Sequence, residues 1–184
     1  IAMALAPGHA CYVPLRHGVA QNLASSEQTG LDFDGAQDIV PFKQIQFDDA
    51  IALFRDVFED PAILKIGHNI KYDSHVLLRP ANGSIKLHPV DDTMCLSYVL
   101  DTGVVNRHSL DYLADHWLDY KTIKYEDVCG KGSKQVSFGA IAPEAALDYA
   151  AEDADITMRL WQILKPRLAG SNIASVYERL ERPL

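Results

Sequence analysis

Cysteine is scarce in this chain. Cys11, Cys95 and Cys129 are the only three in 184 residues, odd in number, far apart and without a CxxC pair. That argues against a disulfide scaffold or a structural zinc site, and a reducing cytoplasm is the expected compartment. No apolar run approaches the ~18 to 20 residues needed to span a bilayer. Positive charge is short as well, with 17 Lys+Arg against 25 Asp+Glu and a formal net charge of −8. Tight nonspecific binding of duplex nucleic acid rests on a basic face that releases counterions. A nucleic-acid substrate would therefore have to be held locally, through metal ions and a few placed side chains. Familiar catalytic signatures are missing too. GKGSK at 130–134 lacks the P-loop spacing, because Gly132 stands where Ser or Thr should follow Lys131. The seven histidines make no HExxH, and there is no GxSxG nucleophile elbow. His68 and His75 are seven apart, which does not suit a helical metal pair.

What is present is the composition of one globular domain, with 48% hydrophobic and 23% charged residues. Apolar runs at 1–6 and 11–15, separated by Pro7-Gly8, predict a β-hairpin. Residues 16–41 are polar and aperiodic and read as a long, mobile excursion. Phe47, Ile51, Phe54 and Phe58 recur at helical spacing and predict a helix over 47–60, ended by Pro61. A buried strand is expected at 62–67, then a helix from Ile70 to Arg79 broken by Pro80 and Asn82-Gly83, then a weak strand at 85–90. Asp92 or Thr93 can cap a helix from Met94 to Leu100. Ser109 can cap another through Trp117, with Asp111 in its first turn. Tyr125 to Cys129 is a short helix. The longest helix starts at Pro143 and is expected to run to about Lys165, before Pro166. Strands and helices alternate, so the class is α/β.

Two acids stand out against this background. In the long helix, Leu147, Ala150, Ala151, Ala154, Met158 and Trp161 form the expected apolar face. Tyr149 and Asp153 are four apart on one side, and Ile156 and Leu160 continue their line. A carboxylate buried in such a row needs a cation, a donor network or a metal ion. The alternative is a partly exposed acid beside Glu152 and Asp155 on a solvated edge. The segment 65–78 repeats the pattern, because Ile70, Asp73 and Leu77 share a face just past the carboxyl end of a strand. That is where α/β proteins commonly place their sites. Asn69, at the junction, can equally serve as a helix cap. Two such acids suggest convergence on a hard divalent cation, since Mg²⁺ favours oxygen ligands and commonly takes one or two protein carboxylates. A pair of metals ~4 Å apart can stabilise both the attacking and the leaving oxygen at phosphorus.

NIKYD at 69–73 resembles the second exonuclease motif of the DEDD superfamily, and YAAED at 149–153 resembles the third motif of its tyrosine-bearing branch. DDTMCLSYVLD (91–101), RHSLDYLADHWL (107–118), KTIKYEDVCGKGSKQVSF (121–138) and AEDADIT (151–157) narrow the likeness. In that order they resemble the 3′→5′ proofreading exonuclease domain of bacterial DNA polymerase I. Ribonuclease D shares only the two short motifs. The resemblance implies a ribonuclease-H-like mixed β-sheet flanked by helices, and hydrolysis of the 3′-terminal phosphodiester of single-stranded DNA with two divalent metals (Mg²⁺ or Mn²⁺, in some settings Zn²⁺). It implies Asp153 and Asp73 as metal ligands, Tyr149 orienting the attacking water, and Asn69, Tyr72, Arg107 and Tyr125 holding the terminal nucleotides. Each of those four also has an ordinary explanation as a cap, a core aromatic or a surface charge. Residues 1–176 are expected to form the exonuclease-like domain, and VYERLERPL resembles the segment leading into a polymerase domain, with the connection expected to start at 177–184. The family's first motif, an Asp-x-Glu on an opening strand, has no counterpart here. The chain begins at Ile1 without an initiator Met, reads as a fragment, and is expected to be weak or inactive by itself. Two alternatives remain: a catalytically inert scaffold that guides DNA for a polymerase, and a ribonuclease D-like RNA trimmer.

Overall fold

The computed structural model describes residues 1–18, 44–101, 103 and 107–183. The expected excursion at 16–41 falls almost wholly outside the described residues. Strands β1 (Ala2–Ala6) and β2 (His9–Tyr12) form the antiparallel hairpin around Pro7-Gly8, with Met3 opposite Cys11. Gly8 turns with φ of +74°, a conformation that suits a residue without a Cβ. Helix α1 (Phe47–Phe58) carries Asp48 and Asp49 in its first turn, where the helix dipole favours negative charge. Its Ile51 and Phe58 are buried with Ile85, and Met3, Phe54 and Leu77 pack around them.

Strand β3 (Lys65–Gly67) leads into helix α2 (Ile70–Leu78) and pairs in parallel with β4 (Val90–Asp92). The turn between β3 and α2 is tight. A Cβ on Gly67 would lie 2.7 Å from the Ile70 side chain, so only glycine fits. The strand expected at 85–90 is confined to Val90–Asp92. The donors before it are spent elsewhere: Ile85 N–H donates to Leu77 O (2.9 Å), Lys86 N–H to Glu59 Oε1 (3.1 Å) and His88 N–H to Phe58 O (3.2 Å), and Pro89 has no N–H. Among the described residues the strands thus form two separate pairs, one antiparallel and one parallel, within a mixed α/β architecture.

Helices α3 (Thr93–Asp101), α4 (Leu110–Leu118) and α5 (Tyr125–Cys129) follow, and then the long α6 (Pro143–Ala169). Helix α6 packs against the hairpin, β3, α3, α4 and α5. Its buried row is Ala146, Ala150, Ile156, Thr157, Leu160, Leu164 and Leu168, which meets Leu96, Leu113, Ala114 and Tyr177 in the main core. This corrects the expected face, since Leu147 is 43% exposed and Ala151, Ala154, Met158 and Trp161 only flank the row. Helix α6 also continues past Pro166. The proline removes one backbone donor, while Leu164 and Leu168 on either side are buried and hold the last turn in place. No helix is long and apolar enough to cross a membrane among the described residues.

The closing helical turns (Ala174–Val176, then Tyr177–Glu181) are tied to β4 through Asp91, which is 1% exposed. Trp161 Nε1 donates to it at 2.8 Å and the Tyr177 hydroxyl at 3.1 Å, and Lys165 (3.2 Å) and Arg182 (3.3 Å) pair with it ionically. Removing one member of a buried pair leaves uncompensated groups and costs several kcal/mol. Asp91→Ala is expected to lower unfolding free energy by about 3 kcal/mol. Asp91→Asn, which keeps one of the two acceptor oxygens that Trp161 and Tyr177 use, should lose less; urea titration of the three proteins checks the order.

Candidate active site

Asp153 lies in the buried row of α6, half-buried between Ala150 and Ile156. Its acidic neighbours are each committed to protein donors. Glu152 accepts from the Tyr120 hydroxyl and from Ile123 N–H, both at 2.7 Å. Asp155 accepts from Gly8 N–H at 2.6 Å, tying the hairpin turn to α6, and pairs with Arg159. Among the described residues, the Tyr149 hydroxyl is the one side-chain hydrogen-bond partner of Asp153, and no cation pairs with it. Burial pushes its pKa up to about 6; the Glu152 and Asp111 charges push the same way, and the Tyr149 hydrogen bond opposes them. Burial and the Asp153 charge push the Tyr149 phenol well above its ordinary value, so it is neutral near pH 7 and serves as a donor.

Tyr149 belongs to an aromatic cluster. Its ring lies 6.0 Å from Tyr125, nearly perpendicular, and 5.8 Å from Phe138, and Tyr125 and Phe138 are 6.4 Å apart. Phe138 also meets Tyr12 and His17 of the hairpin region. The His17 ring is fixed, with Nδ1 donating to Ile141 O at 2.9 Å and Nε2 bonded to the Tyr12 hydroxyl. Tyr125 stays 40% exposed, which leaves it able to stack on an incoming ring.

Helix α2 is placed by a different carboxylate. Asp92, buried at the end of β4, accepts from Asn69 N–H (3.0 Å) and Ile70 N–H (2.9 Å) at the start of α2, and from Met94 N–H (2.8 Å) and Cys95 N–H (3.4 Å) at the start of α3. One side chain thus caps two helices. Asn69 occupies the cap position of α2 with φ of +59°, but its side chain makes no cap bond. Asp73, one turn on, is exposed, yet surrounding protein and the Asp92 charge still raise its pKa. Tyr72 is 68% exposed, and Arg107 is exposed with no hydrogen bond or ion pair among the described residues. The structure therefore brings Tyr125, Tyr149 and Asp153 together, while Asp73, Asn69 and Tyr72 stand on α2. The charge felt at Asp73 is that of Asp92, and those felt at Asp153 are of Glu152 and Asp111. No group of three or more His, Cys, Asp or Glu with metal-holding geometry occurs among the described residues.

A family model described as 3′-5′ exonuclease matches residues 3–169. The chain belongs to the 3′-5′ exonuclease family. It is similar to DNA polymerase I of Rhizobium leguminosarum, 43% identical over 177 residues that cover 95% of this chain and 16% of that protein. It is likewise similar to DNA polymerase I of Pseudomonas aeruginosa, 40% identical over 186 residues covering 100% of this chain and 18% of that protein. The chain thus spans less than a fifth of these relatives, and it is the exonuclease domain of DNA polymerase I that it matches. Among solved structures, Brucella melitensis NrnC superposes with a TM-score of 0.50 at 26% identity, covering 62% of this chain and 52% of that one. The POL domain of Pol1 from M. smegmatis superposes at 0.56 and 21% identity over 76% of this chain and 20% of that one, a likeness of fold.

Within this exonuclease domain the sequence reading missed three groups that shape the site. Asp92 was read only as a local cap, because nothing in its spacing discloses the reach to Asn69 and Ile70. Asp111 bonds Thr122 (2.8 Å) and Lys124 (2.8 Å); burial works to raise its pKa, but these two partners outweigh it and leave it low, and its charge bears on Asp153. Phe138 was quoted only within a motif, and its ring contacts are tertiary.

Two expectations follow. Ser at position 92 can still cap α3 locally but is too short to reach α2. Asp92→Ser should therefore lose hydrogen-exchange protection at the amides of Asn69 and Ile70 while Met94 and Cys95 stay protected, as read by NMR. For Asp153, the folded protein binds more protons than the unfolded one between about pH 4 and pH 6, so its ionisation lowers stability as pH rises through that window. Asp153→Asn should raise the melting temperature at pH 8, by an equivalent of about 1–3 kcal/mol, with the gain vanishing near pH 4; a melting series against pH checks the sign.

Proposed function

We propose that this chain removes nucleotides from the 3′ end of single-stranded DNA by phosphodiester hydrolysis, with Tyr149, Asp153 and Asp73 as its reacting residues. The observation that carries the reading is the state of Asp153. It is a half-buried carboxylate with a pKa raised to about 6, touched by a neutral phenol and, among the described residues, by no cation, beside an aromatic cluster, in a chain of the 3′-5′ exonuclease family. A carboxylate so placed gains from a positive charge brought from outside.

In donor chemistry the two acids fit a hard divalent cation, which takes oxygen ligands and keeps several waters. In number they fall short of a cluster of three. Asp153 and Asp73 would hold two divalent ions, Mg²⁺ or Mn²⁺ and in some settings Zn²⁺. Such ions supply the positive charge that polarises the scissile phosphate and favours a deprotonated water. The chain's own residues do the rest. Tyr149 keeps its proton and orients the attacking water by a hydrogen bond, since a phenol with its pKa raised is a poor general base at pH 7. Tyr125 offers a face to a terminal base, and Asn69, Tyr72 and Arg107 hold the neighbouring nucleotides. Residues 177–184 begin the connection to a polymerase domain, and the parent protein works in the cytoplasm. With two acids against two divalent ions, turnover by this chain alone is slow.

The shortage of acids favours a second reading, an inert exonuclease-like module that guides DNA. A 5′-labelled single-stranded oligonucleotide with Mg²⁺ or Mn²⁺, in DNA and RNA forms, separates them. The expected result is slow stepwise shortening of DNA from the 3′ end, lost in Asp153→Ala. Shortening that persists in Asp153→Ala would remove this site from the reaction. Binding without any shortening supports the guiding module, and a preference for RNA supports the ribonuclease D-like alternative.

A further inference from the structure

The reading above leaves the rest of the bound strand without a track. We propose that single-stranded DNA runs along the outer face of α2, its phosphates held by Lys71, His75 and Arg79 and one base laid on Tyr72. The inference rests on the nuclease reading for the identity of the strand, but its evidence is separate. Lys71 and His75 are four apart and so neighbours on α2, and Arg79, four further on, is the residue just past its end. They line a shallow cleft of about 320 Å³ with Asn69, Tyr72 and Val76, and no acid lines it. That absence is informative in a chain of formal charge −8. Among the described residues, no hydrogen bond or ion pair occupies the Lys71, His75 or Arg79 side chains, whereas Lys65, Lys124, Lys131, Lys165, Arg167 and Arg182 are all engaged.

The series also continues. A larger groove of about 860 Å³ shares Lys71 and His75 and adds Lys86 and His88. The acids that line this groove, Asp92, Glu178 and Glu181, come from outside α2, with Arg182 beside them, which favours a phosphate path along the α2 residues. Helix α2 is about 13 Å long, enough for a short stretch of strand. Tyr72, 68% exposed between Lys71 and Asp73, presents an aromatic face at the end of the series nearest the acid. Free cations tracking a backbone beside an exposed aromatic make a sequence-tolerant single-strand track.

The test is binding of 5′-fluorescein octathymidylate, with EDTA present so that nothing is hydrolysed, followed by anisotropy over a range of salt. Each phosphate-bound cation contributes about 0.7 to the slope of log K against log salt for single strands. Lys71→Gln/Arg79→Gln is expected to flatten the slope by about 1.4 and to weaken binding roughly tenfold at low salt. Both side chains are exposed, so its melting temperature should stay within about 2 °C of the parent. Arg179→Gln, which removes an exposed cation from the closing turns, should leave the slope unchanged. An unaltered slope in the double variant, or an equal fall in Arg179→Gln, overturns the track. Hydrolysis that survives Asp153→Ala overturns the nuclease site instead, and leaves the slopes to decide the track by themselves.

Discussion

Asp91 and Asp92, adjacent at the end of a three-residue strand, hold the two halves of this molecule in register. Successive side chains of a strand point to opposite faces, so neighbours in sequence can serve different neighbourhoods. Asp91 gathers Trp161 and Lys165 of α6 with Tyr177 and Arg182 of the closing turns. Asp92 gathers the first turns of α2 and α3. The Tyr177 hydroxyl joins them, donating to Asp91 and accepting from the Asp92 N–H at 3.0 Å. Buried carboxylates are costly unless saturated with partners, and these two are saturated. The helix that carries Asn69, Tyr72 and Asp73 therefore stands where it does because a strand end elsewhere in the sequence supplies its cap.

Asp153 inverts that arrangement. Its neighbours Glu152 and Asp155 are bonded to loop 119–124 and to the hairpin turn, and they fix α6 in place. Asp153 is left with one phenol and an apolar row, which is the environment that raises a carboxyl pKa. A fold that saturates the acids on either side and leaves the middle one short of partners keeps that group for something the polypeptide itself does not provide. Part of the positive charge is spent on internal pairs, while Lys71, His75 and Arg79 are left without one among the described residues.

Much of this was legible before any coordinates. Phe47, Ile51, Phe54 and Phe58 marked α1, Pro7-Gly8 marked the hairpin turn, and Pro143 marked the start of α6, because periodicity and backbone restriction are local properties. The four-residue interval between Tyr149 and Asp153 put phenol and carboxylate on one side of a helix. The errors have a common origin. The strand expected at 85–90 shrank to Val90–Asp92 because its donors found partners on α1 and α2, and α6 ran through Pro166 because core leucines outweighed one lost bond. The face of α6 was misjudged around Leu147, since which of two candidate stripes is buried depends on where α3 and α4 lie.

The sequence by itself determined the helices, the hairpin, the family and the pairing of Tyr149 with Asp153, all of which follow from spacing along one segment or from the order of motifs. Tertiary structure alone decided that Asp92 caps two helices, that Phe138 and Tyr125 close around Tyr149, and that Asp153 is the acid left without a cation. Those outcomes depend on contacts between residues from 11 (Phe138 to Tyr149) to 121 (His17 to Phe138) apart in the chain. Burial and the field at a carboxyl group are sums over spatial neighbours, and spacing along one segment does not specify them.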